Sequence, residues 1–254
     1  MNIVKNWFKI TFNKVFVYAL VLLIAVNVVG VITEDAFIMK TVKPFFIPVF
    51  LIFFFFKYRY LGIAFISFLL FSFLGDMSSI LFLEDVLIET SSVLYVLSYL
   101  YLLIMVAPKF KLLEAKALIG TYLLGVFLIA VYFLYVAHGV LSVVVSNKNE
   151  VLLFVIKNFT LIVLTFVSFG VYLNTQTKQS ALFLTAVVFF GLSVMLNYVK
   201  LYYLNNWSLE LLDRALYATG LYVMFIYIMN REVLVTKPKQ VQLKDRYPSD
   251  TVLS

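Results

Sequence analysis

Eight apolar stretches divide the chain, at roughly 15–32, 42–56, 61–83, 88–107, 117–137, 151–173, 180–203 and 212–229. Each is close to the ~20 residues that carry a helix across a hydrocarbon layer. A water-soluble domain cannot absorb eight such runs, because each would need polar sequence to cover it. That sequence is missing: 64% of residues are hydrophobic and 13% charged, where soluble domains run near half and a quarter. In lipid the backbone must satisfy its own polar groups, and runs of this length do so as helices. The sequence therefore predicts an all-α fold, a polytopic membrane helix bundle of about eight transmembrane helices.

The connections are short. Lys57-Tyr58-Arg59-Tyr60 joins the second and third spans, and Glu84-Asp85 separates the third from the fourth. Such links make successive helices antiparallel neighbours, so 1–236 reads as one bundle domain. Residues 237–254 read as a polar, disordered cytoplasmic tail. Pro44 and Pro48 in the short second span suit a helix that starts late or bends near its first turns. No small-residue cleavage site follows the first span, which reads as a retained helix.

Lysine and arginine bias sets the orientation. With alternating spans and a cytoplasmic N terminus, 14 of the 20 basic residues fall inside and 6 outside. Both termini are then cytoplasmic. The net charge of +7 is spread in short clusters between apolar runs, a membrane pattern and not a nucleic-acid surface. With no cysteine and one histidine, His138 beside Gly139 at an expected helix end, thiolate chemistry and a zinc site have no ligands. No metal or cofactor is expected. Membrane lipids are the expected surroundings, and the absence of a C-terminal retention signal makes the plasma (cell) membrane the default. Oligomeric state is not legible.

Polar residues inside spans carry the functional signal, since an ionisable group there costs at least ~2.5–3.5 kcal/mol. Asp76 lies well inside the third span, with Ser72 and Ser79 four and three residues away on one helix face. Span four offers Ser91, Tyr95, Ser98 and Tyr99, and span seven Ser193, Asn197 and Lys200. Span eight offers Asp213 and Tyr217, and Lys43 stands at the outer end of span two. All fall in the outer half of the bundle, where a polar pocket is expected. Two readings of Asp76 stay open. It pairs with Lys43 or Lys200 and fixes helix packing, or it is a general acid/base or cation ligand in a lipid-accessible pocket.

Five landmarks resemble the YhhN family of eight-span membrane proteins, which includes the lysoplasmalogenases. They are Lys43-Pro44, Leu74-Gly75-Asp76, Ser98-Tyr99-Leu100-Tyr101, Phe189-Phe190-Gly191-Leu192-Ser193 with Asn197 after it, and Tyr217-Ala218-Thr219-Gly220. The resemblance implies hydrolysis of the vinyl ether of a lysoplasmalogen-type lipid, giving a fatty aldehyde and a glycerophospho-alcohol. It makes Asp76 the catalytic general acid/base. Lys43, Ser79, Tyr95, Ser98, Tyr99, Ser193, Asn197, Lys200 and Tyr217 become candidates for the substrate pocket. Three positions depart from the family pattern: Val194 stands where a second acid is expected, Tyr99 where a histidine is, and Leu221 at a polar position. The alternatives are a catalytically inactive or diverged membrane protein, or a small-solute or lipid transporter using the same pocket. Against the transporter, no repeat relates halves 1–116 and 117–254.

Overall fold

The computed structural model describes residues 2–33, 36–55, 62–81, 84–110, 117–203 and 206–244. Among them there is no strand. Eight α-helices follow one another: α1 (Asn2–Ile32), α2 (Ala36–Phe55), α3 (Ile63–Leu81), α4 (Glu84–Val106), α5 (Ala117–Val144), α6 (Lys148–Thr175), α7 (Lys178–Tyr202) and α8 (Trp207–Lys244), with a 3-10 turn at Ala107–Lys109 after α4. Five stretches are long and apolar enough to cross a membrane: Glu89–Lys109, Gly120–Val144, Lys148–Thr175, Lys178–Tyr202 and Trp207–Asn230. Lys14–Gly30, Thr41–Phe55 and Ile63–Ser78 are shorter apolar helices. Large apolar side chains such as Ile63, Tyr135 and Val143 stand fully out from the surface, which water would penalise and lipid does not. The chain is an integral membrane protein.

Several boundaries differ from the sequence expectation, each for a local reason. Glu84 and Asp85, expected in a loop, open α4, where acids favour a helix N-terminus. His138 is not at a helix end, because α5 runs through Gly139 to Val144; a single glycine costs a helix only ~1 kcal/mol. The α2 helix starts at Ala36, so Pro44 and Pro48 lie in its interior. There they leave the carbonyls of Lys40 and Pro44 without their helical donors. The α8 backbone continues to Lys244, through part of the segment expected as a disordered tail. The Lys57-Tyr58-Arg59-Tyr60 link, the Ser79 side chain and residues 245–254 lie outside the described residues.

Packing departs from chain order. The α7 and α8 helices make the most extensive contact, followed by α3 with α4. The α4 helix then packs on α6, bypassing α5, which rests chiefly on α6 at the edge of the bundle. Aromatic rings fill the junction of α1, α2, α3 and α8: Phe225 meets Phe16 at 4.8 Å and Phe50 at 5.6 Å, and Phe50 meets Phe65 at 5.8 Å. Edge and tilted contacts of this kind add to area burial.

Two details bring α6, α7 and α8 into register. Gln176 takes the left-handed conformation at φ 46°, and Thr177 and Ser180 exchange hydrogen bonds at 3.2 Å in a reciprocal cap. Two residues thus turn the chain from α6 into α7. Along α7 and α8, Gly220 lets Phe190 lie directly on the α8 backbone. A Cβ at position 220 would stand 2.7 Å from a ring carbon of Phe190.

Candidate functional site

Asp76 sits five residues before the end of α3, and its side chain is fully buried. Neighbouring helices deliver its partners. From α2, Lys43 Nζ lies 3.0 Å from Oδ1, half-buried and also 5.2 Å from the Tyr95 ring centre. From α4, Tyr95 donates its hydroxyl to the same Oδ1. From α8, Tyr217 donates to Oδ2 at 3.4 Å. Gly75 makes this possible, because its missing side chain leaves room for the Tyr95 ring, 3.2 Å from where a Cβ would be. Of the two lysines the sequence offered to Asp76, the structure uses Lys43.

One turn deeper, Ser72 and Ser98 share a hydrogen bond of 2.6 Å, and Ser98 reaches the Phe68 carbonyl at 3.3 Å. This layer ties α3 to α4 beneath the carboxylate. Ser98 therefore supports the site from below and does not line it.

A second carboxylate enters from α8. Asp213 is buried and accepts a hydrogen bond from the Ser193 hydroxyl of α7. Beside it Arg214, also buried, bonds Glu210 and stands 3.9 Å from the far oxygen of Asp213. Lys200 closes the group by pairing with Glu210. Lys200, expected to line the pocket, is thus held one shell away from it.

Beside Asp213 lies a cavity of about 30 Å³, lined by Lys43, Tyr95, Tyr99, Lys157, Phe190, Ser193, Val194, Asn197, Asp213 and Tyr217, with Asp76 outside its wall. That volume admits one or two waters, and polar groups on the wall can hold them. Six of the nine expected pocket residues line it: Lys43, Tyr95, Tyr99, Ser193, Asn197 and Tyr217. Asp76 is held by three of them. Sequence reasoning did not single out Lys157, Arg214 or Glu210, and it noted Asp213 as a polar residue of span eight without giving it a role. The signal for Asp213 was present, since it precedes Tyr217 by one helical turn and so faces the same way.

No group of three or more histidine, cysteine or carboxylate residues able to hold a metal ion occurs among the described residues. Chemically, the arrangement offers two buried carboxylates on different helices, phenol and ammonium groups beside one of them, and room for water. Comparison with known proteins adds no relative: no protein-family profile, no curated protein and no solved structure matches the chain.

Proposed function

We propose that the protein is a membrane-embedded hydrolase of lysoplasmalogen-type lipids, diverged from but similar to the YhhN-family lysoplasmalogenases. The observation that carries this reading is a pair of buried carboxylates, Asp213 in the wall of a water-sized cavity and Asp76 held by three of the residues that line it, Lys43, Tyr95 and Tyr217. Cleavage of a vinyl ether begins with two proton transfers. A proton is added to the outer vinyl carbon, and water adds to the resulting oxocarbenium carbon while losing its own proton. The hemiacetal so formed gives up its hydroxyl proton as its carbon–oxygen bond breaks, and the departing oxygen takes up the proton that the water lost, releasing an aldehyde and the glycerophospho-alcohol. Asp76 exchanges the first proton within its Lys43, Tyr95 and Tyr217 network, and Asp213 receives the second. Positioned acid–base pairs of this kind contribute ~10²–10⁴-fold each.

With both termini in the cytoplasm and eight spans, the cavity falls in the outer half of the bundle, within reach of the outer leaflet of the cell membrane. The loss of an acid at Val194 is made good in space, because Asp213 reaches the neighbouring Ser193 from α8.

Purified protein in detergent micelles, supplied with 1-alkenyl lysophospholipid, is the direct test. Aldehyde release that falls at least about hundredfold in Asp76→Asn and in Asp213→Asn supports the assignment. Full activity in either variant removes that residue from the mechanism.

One observation favours a second reading. The Asp76–Lys43 pair is closed, and the cavity takes water but not a lipid chain. Under this reading the charged network only fixes helix packing, and the wild-type protein releases no aldehyde.

A further inference from the structure

The α5 helix is the least buried of the membrane-length stretches and rests chiefly on α6. The two helices do not close on each other along their whole length. Between them runs an open groove of about 640 Å³, whose walls include Val131, His138 and Ser142 of α5 and Lys148, Val155 and Phe159 of α6. That volume is in the range of sites that hold small molecules.

The groove has a direction. Lys148 is the first residue of α6 and Phe159 the twelfth of its 28, ~16 Å apart along the axis. It therefore runs from the α5–α6 turn to near the midpoint of α6, about the depth of one leaflet of a ~30 Å hydrocarbon layer. The deep end, at Val131, Val155 and Phe159, is apolar. The end at the turn carries Lys148 and, somewhat deeper on α5, His138, both exposed. The Ser142 hydroxyl beside them donates to the Gly139 carbonyl at 2.8 Å, which leaves the lysine and the histidine as donors to a ligand.

No carboxylate lines the groove. Glu150 lies about 200° around α6 from Lys148 at ~3.6 residues per turn, and it accepts from the Tyr202 hydroxyl of α7. Glu89 comes from α4 and accepts from Asn147 at 2.9 Å. Lys148 is thus the charge that the groove presents at the membrane surface. A leaflet-deep apolar channel topped by a cation is the complement of a phospholipid. A second copy of the chain fits less well, because ~16 Å of helix ~10 Å across fills roughly 1,250 Å³ and could insert only its side chains.

We propose that the α5–α6 groove is a binding site for one phospholipid of the surrounding leaflet. Its phosphate sits on Lys148, its glycerol esters lie beside His138, and one acyl chain runs along Val131, Val155 and Phe159. The lipid completes the packing of α5, which its own contacts leave at the edge of the bundle. This site shares no lining residue with the cavity beside Asp213 and stands whether or not the protein is a hydrolase.

The test uses the full-length protein, stripped of lipid in detergent and titrated with dioleoyl phosphatidylglycerol or with dioleoylglycerol, which has the same chains and no phosphate. Native mass spectrometry reads the bound lipid and the number of protein chains. The wild type binds one phosphatidylglycerol more tightly than it binds dioleoylglycerol. Lys148→Gln weakens phosphatidylglycerol about fivefold, the scale of one lysine at a lipid surface, and leaves dioleoylglycerol unchanged. Val155→Trp, which fills the groove, weakens both. Lys178→Gln removes another exposed lysine that opens a helix but lines none of the groove, and it changes neither. An unchanged affinity for phosphatidylglycerol in Lys148→Gln or in Val155→Trp overturns the proposal. So does displacement of the lipid by inorganic phosphate, which would assign Lys148 to the free anion. A two-chain species that Val155→Trp dissolves would give the groove to a second copy and overturn it as well.

Discussion

Asp213 on α8 accepts a hydrogen bond from Ser193 on α7, one residue before Val194. The two side chains are 20 positions apart in the chain and meet because α7 and α8 pack along most of their length. A carboxylate absent at Val194 is therefore present in the same chamber, contributed by a different helix.

That relationship can be tested by moving the acid. Val194 and Asp213 both line the cavity, so under the proposed hydrolase reading Val194→Asp in an Asp213→Asn background is expected to recover part of the aldehyde release lost in Asp213→Asn. Steady-state rates of the wild type and of the single and double variants on alkenyl lysophospholipid give the answer. A double variant no faster than Asp213→Asn argues that the place of the carboxylate on α8 is essential.

The two phenols on Asp76 are expected to differ in weight. Tyr95 donates to Oδ1, the oxygen that Lys43 also holds, and Tyr217 donates to Oδ2 over a long 3.4 Å. Tyr95→Phe should cost about 1.5–3 kcal/mol, the range for a hydrogen bond to a charged group, and Tyr217→Phe clearly less. Thermal unfolding in one detergent ranks them, and a larger loss for Tyr217→Phe would contradict the geometry.

Removing Lys43 alone takes from a buried carboxylate the cation 3.0 Å from it. Lys43→Met is expected to destabilise the fold by about 3–5 kcal/mol, and adding Asp76→Leu should return most of that loss, because a buried pair replaced by apolar groups is close to neutral. A double-mutant cycle measured by thermal unfolding checks it. Additive losses would show that the two residues do not depend on each other.

The absence of cysteine makes the topology directly measurable. Single cysteines at Thr33 or Ser146 are expected to react with an impermeant maleimide added to intact cells. Cysteines at Lys109 or Gln176 should react only after lysis. All four native residues are exposed. The reverse pattern would invert the bundle and place the cavity in the inner leaflet.

Much of the helical layout was legible because apolar runs of membrane length leave few alternatives. The segments around Asp76 and Ser193 are cases where a polar residue interrupts an otherwise apolar run, and that contrast is visible in one dimension. Boundaries were less legible: Glu84 and Asp85 look like loop residues until their place at a helix start is seen, and Gly139 looks like a stop although α5 passes through it. The partner choice of Asp76 was narrowed to Lys43 or Lys200, since both are cations at suitable depth. What decided it was the neighbour of each lysine, because Glu210 holds Lys200. Lys157 was missed for a related reason. Its place in the cavity wall depends on α6 packing against α4 and α7, a contact between distant segments that no local pattern encodes.

Gly220 faces Phe190 and takes no part in lining the chamber, yet Phe190 forms one of its walls. A single methyl group introduced on α8 would displace that ring and redraw the interior from behind. The shape offered to a ligand is thus governed in part by an atom that is not there, at a position no inventory of contacting residues would include. Differences in selectivity among related chains can arise at such a hidden position while every residue touching the ligand stays the same.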